Sequence, residues 1–175
     1  MNDAPQYRVE RLDPAKHRRE AFSCESPELT EFIRRRARKE MDARASVCFV
    51  LVPLTDIGRI AGFYTLSAAE ISASHLPAEL ARRLPRYPQM PATLLGRLAR
   101  DQAFHGQGIG DRLIEDALAR ALAGSAEVGS IGVITDPKDD RAARFYREFG
   151  FQPLSSGRQF LPMTEIMRLL RKGPA

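Results

Sequence analysis

The alternation of apolar and polar residues between Leu94 and Leu122 predicts a strand, a turn and a helix in that order. A short apolar run comes first, and a segment with three closely spaced glycines follows it. The helix is predicted from apolar residues that recur at helical spacing, namely Leu113, Ile114, Ala117, Leu118, Ala121 and Leu122. The glycines, which are Gly106, Gly108 and Gly110, therefore lie where the helix begins.

A glycine turn at a helix start favours an anion. The first N–H groups of a helix have no internal partner, the helix dipole attracts negative charge there, and glycine lets a phosphate approach the backbone. We therefore interpret this turn as a pyrophosphate cradle. A P-loop is excluded because Asp111 and Arg112 follow Gly110, and a dinucleotide fingerprint is excluded because Asp111 or Leu113 stands where its third glycine belongs. A turn without a ligand remains the alternative for this segment taken alone.

The same patterning predicts the elements before this segment. Ser26 is suited to cap a helix that begins at Pro27. The predicted core stripe of that helix is Leu29, Phe32, Ile33, Ala37 and Met41. The other predicted elements are an edge strand at Tyr7–Leu12, a hairpin of Ser46–Pro53 with Arg59–Ala68, and a short helix around Ala78–Leu84 inside an otherwise irregular proline-rich excursion.

The elements after the glycine turn complete the predicted order. The first is a buried strand at Val128–Ile134. A helix follows, which begins at turn residues near Asp139 and runs through Glu148, and Gly150 lies just past its end. The last elements are closing strands at Phe151–Leu154 and Phe160–Leu170. A strand–helix–strand unit with further strands on both sides predicts an α/β fold in which a mixed central sheet lies between helices, α/β/α. We expect residues 1–175 to form a single domain.

Composition and charge add restrictions on class. The 175 residues are 43% hydrophobic, which suffices for a substantial core, and no apolar run is long enough for a membrane span. No secretory h-region is recognisable at the start, so we expect a cytoplasmic protein in which Cys24 and Cys48 are reduced thiols. The net charge of +5 favours an anionic partner without distinguishing a nucleic acid from a phosphorylated small molecule.

The predicted helix after Ser26 has a basic exterior. Arg34 with Arg38, and Arg35 with Lys39, are pairs four residues apart on the faces turned away from the core stripe. These four residues form either an ordinary solvated face or a surface that contacts a phosphate backbone.

Two motifs resemble those of the GNAT superfamily of N-acetyltransferases. HGQGIG at 105–110 resembles the coenzyme A (CoA) pyrophosphate loop, Gln/Arg-x-x-Gly-x-Gly/Ala, with His105 in place of Gln or Arg. DRAARFYREFGF at 140–151 resembles the superfamily's later helix and strand, and Asp139 stands at the position of its Asn. The remaining motif positions then align without gaps at Ala142, Phe145, Tyr146, Gly150 and Phe151. Two motifs in the correct order are far more specific than either alone.

A narrower resemblance covers nearly the whole chain. The segments at 22–52, 60–68 and 76–110 are similar to the GNAT toxins of bacterial toxin–antitoxin pairs. Within the last of them, LPRYPQMPATLLGRLA at 84–99 is characteristic of that branch. Arg100 replaces an apolar residue that is usual there. The resemblance implies acetyl-CoA as co-substrate, acetylation of the α-amine of aminoacyl-tRNA, arrest of translation and inhibition by a ribbon-helix-helix antitoxin. A homodimer is compatible with it.

The resemblance also implies site residues. The CoA site would comprise Leu98, Ala99, Arg100, His105, Gly106, Gln107, Gly108, Ile109, Gly110, Asp139, Ala142 and Phe145. Aminoacyl-tRNA would contact Arg34, Arg35, Arg38 and Lys39. No metal is expected.

The chemistry of acetyl transfer points to Tyr146 as the catalytic residue. An α-amine with a pKa of about 7.7 to 8.0 is partly neutral near pH 7, so a dedicated general base is optional. A phenol with a pKa of about 10 stays protonated until it is needed and can give its proton to the departing thiolate. Asp101 as a water-relayed base, and His17 or His75, are weaker candidates. An acetyltransferase for protein N-termini or small amines, and a non-catalytic basic module, remain the alternatives.

Overall fold

The computed structural model describes residues 6–173 and consists of strands and helices in mixed order. The strands are β1 (Tyr7–Arg11), β2 (Val47–Pro53), β3 (Gly62–Ser72), β4 (Gln89–Arg100), β5 (Gly132–Thr135), β6 (Gln152–Pro153) and β7 (Gln159–Pro162). The helices are α1 (Pro27–Glu31), α2 (Ala37–Asp42), α3 (Ala78–Arg82), α4 (Ile109–Ser125), α5 (Asp140–Glu148) and α6 (Met163–Arg171). The π-helical turn Phe32–Arg36 joins α1 to α2.

The strands form a seven-stranded sheet in the order β1-β2-β3-β4-β5-β7-β6. β4 and β5 are parallel, whereas β1–β2, β2–β3, β5–β7 and β6–β7 are antiparallel. The predicted α/β fold with a mixed sheet flanked by helices is therefore confirmed. The predicted edge strand and hairpin are confirmed too, since β1 is at the end of the sheet and β2 pairs with β3.

Backbone contacts divide the chain into two compact units. The first contains the described residues up to Ser67 together with Gly96–Ala117, and the second contains Ala68–Leu95 with the described residues from Leu118 on. In the first unit an apolar cluster includes Phe22, Phe32 and Phe63, whose rings are in contact. In the second unit a separate cluster is formed by Ile71, Leu76, Met90, Ala92, Ile134, Leu154 and Phe160.

The start and the core stripe of the first helix agree with the sequence. The Ser26 side chain accepts a hydrogen bond from the Leu29 N–H, and Pro27 occupies the first helical turn. Phe32, Ile33 and Ala37 are fully buried, while Leu29 and Met41 pack at the margin of the same cluster. The π-helical turn between α1 and α2 was not predicted, because the spacing of apolar residues does not distinguish one wider turn from regular α-helix.

Several predicted boundaries are wrong. β3 begins at Gly62 instead of Arg59, and β5 is limited to Gly132–Thr135. β4 begins at Gln89, inside the segment predicted to be irregular, and it includes Pro91. Proline fits a strand wherever its missing N–H is not needed by the ladder, and the Pro91 carbonyl still accepts a bond from the Ile131 N–H.

The largest error is at the C-terminus. The strand predicted at Phe160–Leu170 ends at Pro162, and Met163–Arg171 is helix α6. The buried residues of α6, Met163 and Ile166, are three apart, which is a helical spacing that the prediction overlooked. The abrupt change from strand to helix follows Pro162, whose backbone is extended.

Cys24 and Cys48 are free thiols, as predicted. Among the helices of residues 6–173, none has the length and apolarity required to cross a membrane. The single-domain organisation of the chain stays a prediction.

Candidate active site

The turn before α4 has the backbone geometry that a cradle for an anion requires. Gly106 and Gly108 have φ values of +75° and +70°, in the left-handed region that favours glycine. A Cβ at either position would meet no atom within 4 Å, so the space beside both glycines is open. The Gly108 carbonyl accepts the first helical bond, from the Arg112 N–H, which leaves the N–H groups of the preceding helical residues without helical partners.

The start of α4 is fixed by close packing on β3. Ile109 is buried, and a Cβ on Gly62 would lie only 2.8 Å from both Ile109 Cγ2 and Leu113 Cδ1. The same Cβ would lie 2.9 Å from the Ala99 carbonyl oxygen. Glycine at position 62 therefore lets the end of β4 and the first turn of α4 approach each other closely.

The exposed part of the turn is tied to the first strand. The Tyr7 hydroxyl donates a hydrogen bond to the Gln107 side-chain oxygen, and the Arg112 guanidinium lies 5.3 Å from the centre of the Tyr7 ring. His105 is exposed. The long side chain of Gln107 is thus held at the first strand, while the glycine backbone on either side of it stays accessible.

Asp101 is a turn former in this structure. Its buried carboxylate accepts bonds from the N–H groups of Ala103 and Ser23 at 2.8 and 3.0 Å, and Arg59 pairs with it at 3.2 Å. With these partners it closes the backbone after β4. The interpretation of Asp101 as a turn residue fits this geometry better than a role as a base.

The residues of β4 next to the turn include one partly buried cation. Arg100 is half-buried and its Nε has no hydrogen-bond partner within residues 6–173. Ala99 belongs to the apolar cluster of the first unit, and Leu98 is half-buried.

The second motif forms α5 as predicted. The Asp139 side chain caps the helix by accepting a bond from the Ala142 N–H at 2.8 Å. The helix ends at Glu148, and Gly150 follows with a φ of +96°. Asp139 therefore acts through the backbone geometry of the helix start.

Tyr146 lies on the buried side of α5. It is 8% exposed, and its ring packs against Phe145 and Phe151 with centroid distances of 5.4 Å to each. Burial raises the pKa of the Tyr146 phenol above its ordinary value. This raised pKa keeps the hydroxyl protonated at neutral pH, so it can act as a donor.

The four predicted tRNA residues are not equivalent. Arg34 is half-buried and donates two bonds to the Phe22 carbonyl, at 3.1 and 2.8 Å, so it supports the fold. Arg35 and Arg38 are exposed and pair with carboxylates four residues away, Arg35 with Glu31 at 3.1 Å and Arg38 with Asp42 at 3.8 Å. Lys39 is also exposed, so Arg35, Arg38 and Lys39 form the outward-facing part of the predicted surface.

The sequence interpretation missed a network behind this surface. Arg97 of β4 lies 3.8 Å from the centre of the Phe32 ring and pairs with Glu40 at 3.2 Å. Arg36 lies over the same ring at 5.5 Å. The available signal was the position of Arg97 among apolar residues of β4. Its partners could not be predicted, because they come from elements far away in the sequence.

His17, one of the weaker candidates for a catalytic role, is held by structural partners. His17 is buried, accepts the Asp13 N–H at Nδ1 and lies 2.6 Å from Glu10 through Nε2. Within the described part of the chain, no three His, Cys, Asp or Glu side chains are grouped as metal ligands.

Known proteins are similar to this chain in sequence and in structure. A probable toxin TacT of Sinorhizobium fredii is 33% identical, over 93% of this chain and 94% of its own length. A tRNA-acetylating toxin of Mycobacterium tuberculosis is 31% identical, over 75% of this chain and 76% of its own length. The structure of AtaT complexed with acetyl-methionyl-tRNAfMet matches with a TM-score of 0.86 and 26% identity, covering 94% of this chain and 99% of that one.

The family itself is shown by a match to a domain profile. The profile described as "Acetyltransferase (GNAT) domain" matches residues 46–153, which include both the glycine turn before α4 and the capped helix α5. With the relatives above, this match confirms the resemblance drawn from the two motifs. The chain belongs to the GNAT acetyltransferase family.

Proposed function

We propose that this protein is the toxin of a toxin–antitoxin pair, which uses acetyl-CoA to acetylate the α-amine of aminoacyl-tRNA and thereby blocks translation. The observation that carries the proposal is the glycine turn, where two left-handed glycines leave open space beside the N–H groups that begin a 17-residue helix. The relatives supply the substrate class, since one of them is named a tRNA-acetylating toxin.

The residues present fit the phosphates of acetyl-CoA. A pyrophosphate needs several N–H donors on a backbone that it can approach closely, and Gly106 and Gly108 provide such a backbone. We propose that the amides from His105 to Gly110 hold the phosphates, and that the main chain of Leu98 to Arg100 holds the pantetheine arm. Asp139, Ala142 and Phe145 complete the proposed site. When bound, acetyl-CoA supplies an activated acetyl thioester.

Tyr146 is the proposed general acid. As the acetyl carbon leaves sulfur for the amine nitrogen, the sulfur would gain an electron pair and take the phenolic proton of Tyr146. The burial that raises the pKa of this phenol keeps it protonated over the whole range in which an α-amine, with a pKa of about 7.7 to 8.0, becomes neutral. The nucleophile therefore needs no dedicated base. The proton lost from nitrogen passes to water, and the Tyr146 phenolate takes one proton back from water before the next turnover.

The acceptor site is proposed on the basic surface of the first helix. Arg35, Arg38 and Lys39 are exposed. The ion pairs of Arg35 and Arg38 with carboxylates of the same helical segment are exposed too and contribute little energy, so phosphates of the RNA backbone can replace those carboxylates. Arg34 was predicted with them, and its bonds to the Phe22 carbonyl give it mainly a supporting role. Because charged tRNA is a cytoplasmic substrate, we place the activity in the cytoplasm, together with a ribbon-helix-helix antitoxin as the inhibiting partner.

The proposal is tested by incubating the purified protein with a set of charged tRNAs and radiolabelled acetyl-CoA. We expect label on the aminoacyl group of one or more tRNAs and loss of their use in an in vitro translation reaction. Label that appears instead on protein N-termini or on small amines would assign a different acceptor to the same enzyme. Binding of acetyl-CoA is checked separately, since a ligand at a hundred times its Kd should stabilise the fold by about 2.7 kcal/mol. If acetyl-CoA does not stabilise the fold, the enzymatic proposal is wrong and the remaining interpretation is a non-catalytic basic module.

A further inference from the structure

Two buried polar side chains in the second unit have oxygen atoms without a hydrogen-bond partner. Thr135 at the end of β5 is 1% exposed, and Gln159 at the start of β7 is 4% exposed. Thr135 Oγ1 and Gln159 Oε1 have no partner among residues 6–173. Burial of an unpaired acceptor is unfavourable, so a pair of apolar residues would be the more stable choice here. Their presence therefore requires a reason other than packing.

The two side chains lie side by side. The antiparallel register of β5 and β7 places Thr135 directly opposite Gln159. Residues that face each other across such a ladder point to the same side of the sheet, and their chain neighbours point to the other side. The neighbours Ile134 and Phe160 belong to the apolar cluster of the second unit. Thr135 and Gln159 consequently form a small polar patch on the face opposite that cluster.

This patch holds the beginning of α5. The Gln159 amide, through Nε2, donates a hydrogen bond of 3.1 Å to the Ala143 carbonyl oxygen. Ala143 is in the first turn of α5, and Tyr146 follows three residues later on the same face of the helix. The Tyr146 ring on that face packs against the Phe151 ring, and packing of this kind tolerates sliding and rotation of a side chain far better than a directional hydrogen bond does.

We propose that Gln159, with Thr135 beside it, is a positioning residue that fixes the rotation of α5 and thereby aims the Tyr146 hydroxyl. The inference rests on the proposed function, because it assumes that Tyr146 donates the proton. It explains why polar groups are retained at a site where they reduce stability: they set the direction of a side chain whose chemistry depends on its placement.

The first test is Gln159→Leu, which removes both the bond to Ala143 and the unpaired oxygen at similar volume. We expect kcat on charged tRNA to fall about tenfold or more, with the KM for acetyl-CoA unchanged. The Tm should stay equal or rise, because an unpaired buried acceptor is gone. Gln159→Met, unbranched and close to glutamine in length, repeats the test without the branching of leucine. A fall in Tm with kcat per folded molecule intact would show a structural role only and overturn the proposal.

The second test combines Gln159→Leu with Tyr146→Phe. If Gln159 acts through Tyr146, the double variant should be no slower than Tyr146→Phe alone, within about twofold. Loss of the same factor in both backgrounds would overturn the proposal. Full activity of Tyr146→Phe by itself is a separate result, which would remove the proposed general acid and leave the acetyltransferase assignment standing.

Thr135→Val and Ser130→Ala complete the set. Thr135→Val replaces the hydroxyl with a methyl group, and we expect a smaller loss of kcat than for Gln159→Leu, again without a loss of Tm. Ser130, whose hydroxyl bonds Thr93 and the Gly132 carbonyl in the same unit, has no bond to α5. Ser130→Ala should lower the Tm and leave kcat unchanged, so a matching loss of kcat there would argue against a specific role for the polar patch.

Discussion

The turn before α4 and helix α5 are the two motif regions of this protein. The turn presents backbone groups, whereas α5 presents a side chain. The turn offers backbone N–H groups beside open space, and its side chains either point into solvent, like His105, or are held elsewhere, like Gln107. Helix α5, which is capped at its start, offers a single buried phenol in its last turn, that of Tyr146. If the backbone of the turn is what binds, a change of side chain is tolerated there, which would account for His105 at a position where the superfamily motif has Gln or Arg. The proposed proton donor acts through its side chain and would not tolerate such a change.

The sharpest test of this contrast is Tyr146→Phe. We expect kcat to fall by roughly 10² to 10⁴, the usual contribution of a general acid, because the phenolic proton is removed and the ring is retained. Folding should be preserved, because phenylalanine keeps the ring that packs against Phe145 and Phe151. Single-turnover rates on charged tRNA measure the loss, and stabilisation by acetyl-CoA checks binding. Tyr87→Phe, at an exposed tyrosine, is the control. Equal rates for the two variants would remove Tyr146 from the mechanism.

The turn should respond to substitution at its backbone. Gly108→Ala forces an alanine into the left-handed region, at a cost of about 1–2 kcal/mol, and places a methyl group in the open space where a phosphate would lie. We expect acetyl-CoA to bind about tenfold more weakly or worse, which corresponds to about 1.4 kcal/mol. Gly124→Ala, near the end of the same helix and without a positive φ, should instead raise stability by up to about 1 kcal/mol. Calorimetric titration and thermal melts distinguish them, and unchanged affinity in Gly108→Ala would contradict the cradle.

A smaller effect, on the affinity for charged tRNA, is expected from substitutions on the basic surface of Arg35, Arg38 and Lys39. Arg35→Ala and Lys39→Ala should each weaken binding of charged tRNA severalfold and reduce the slope of log K against log salt by about 1. Arg168→Ala, an exposed arginine of α6 paired with Glu165, changes the net charge equally and is the control. If all three variants lose the same affinity, net charge alone attracts the RNA and the surface is not specific.

The smallest expected effect on activity is at Asp139. Asp139→Ala removes the cap of α5 and should lower the free energy of unfolding by about 0.5–2 kcal/mol, whereas Asp139→Asn keeps an oxygen at the same place and should lose little. Urea titration measures both values. A large fall in kcat for Asp139→Asn with stability intact would mean that the carboxylate charge has a role beyond capping.

The two motifs were recognisable in the sequence because each is local. Helix periodicity, a capping aspartate and glycines at fixed spacing act between near neighbours in the chain. The order Asp139, Tyr146, Gly150 therefore already contained the start of α5, the proposed acid and the end of the helix. The C-terminal segment shows where such local interpretation fails. The apolar pair Phe160 and Leu161 favours a strand, yet the strand ends at Pro162 and the helical spacing of α6 follows.

The sequence by itself therefore determined the fold class, the glycine turn and the phenol, since these depend on neighbours along the chain. Only the tertiary structure decided which basic residues of the first helix are bonded to the fold and which face solvent, because the carbonyl that binds Arg34 belongs to Phe22, outside its helix. It also decided that Gln159 holds Ala143 and stands opposite Thr135, through a strand register that no pattern of single residues specifies. Contacts between distant segments are set by packing of the whole chain.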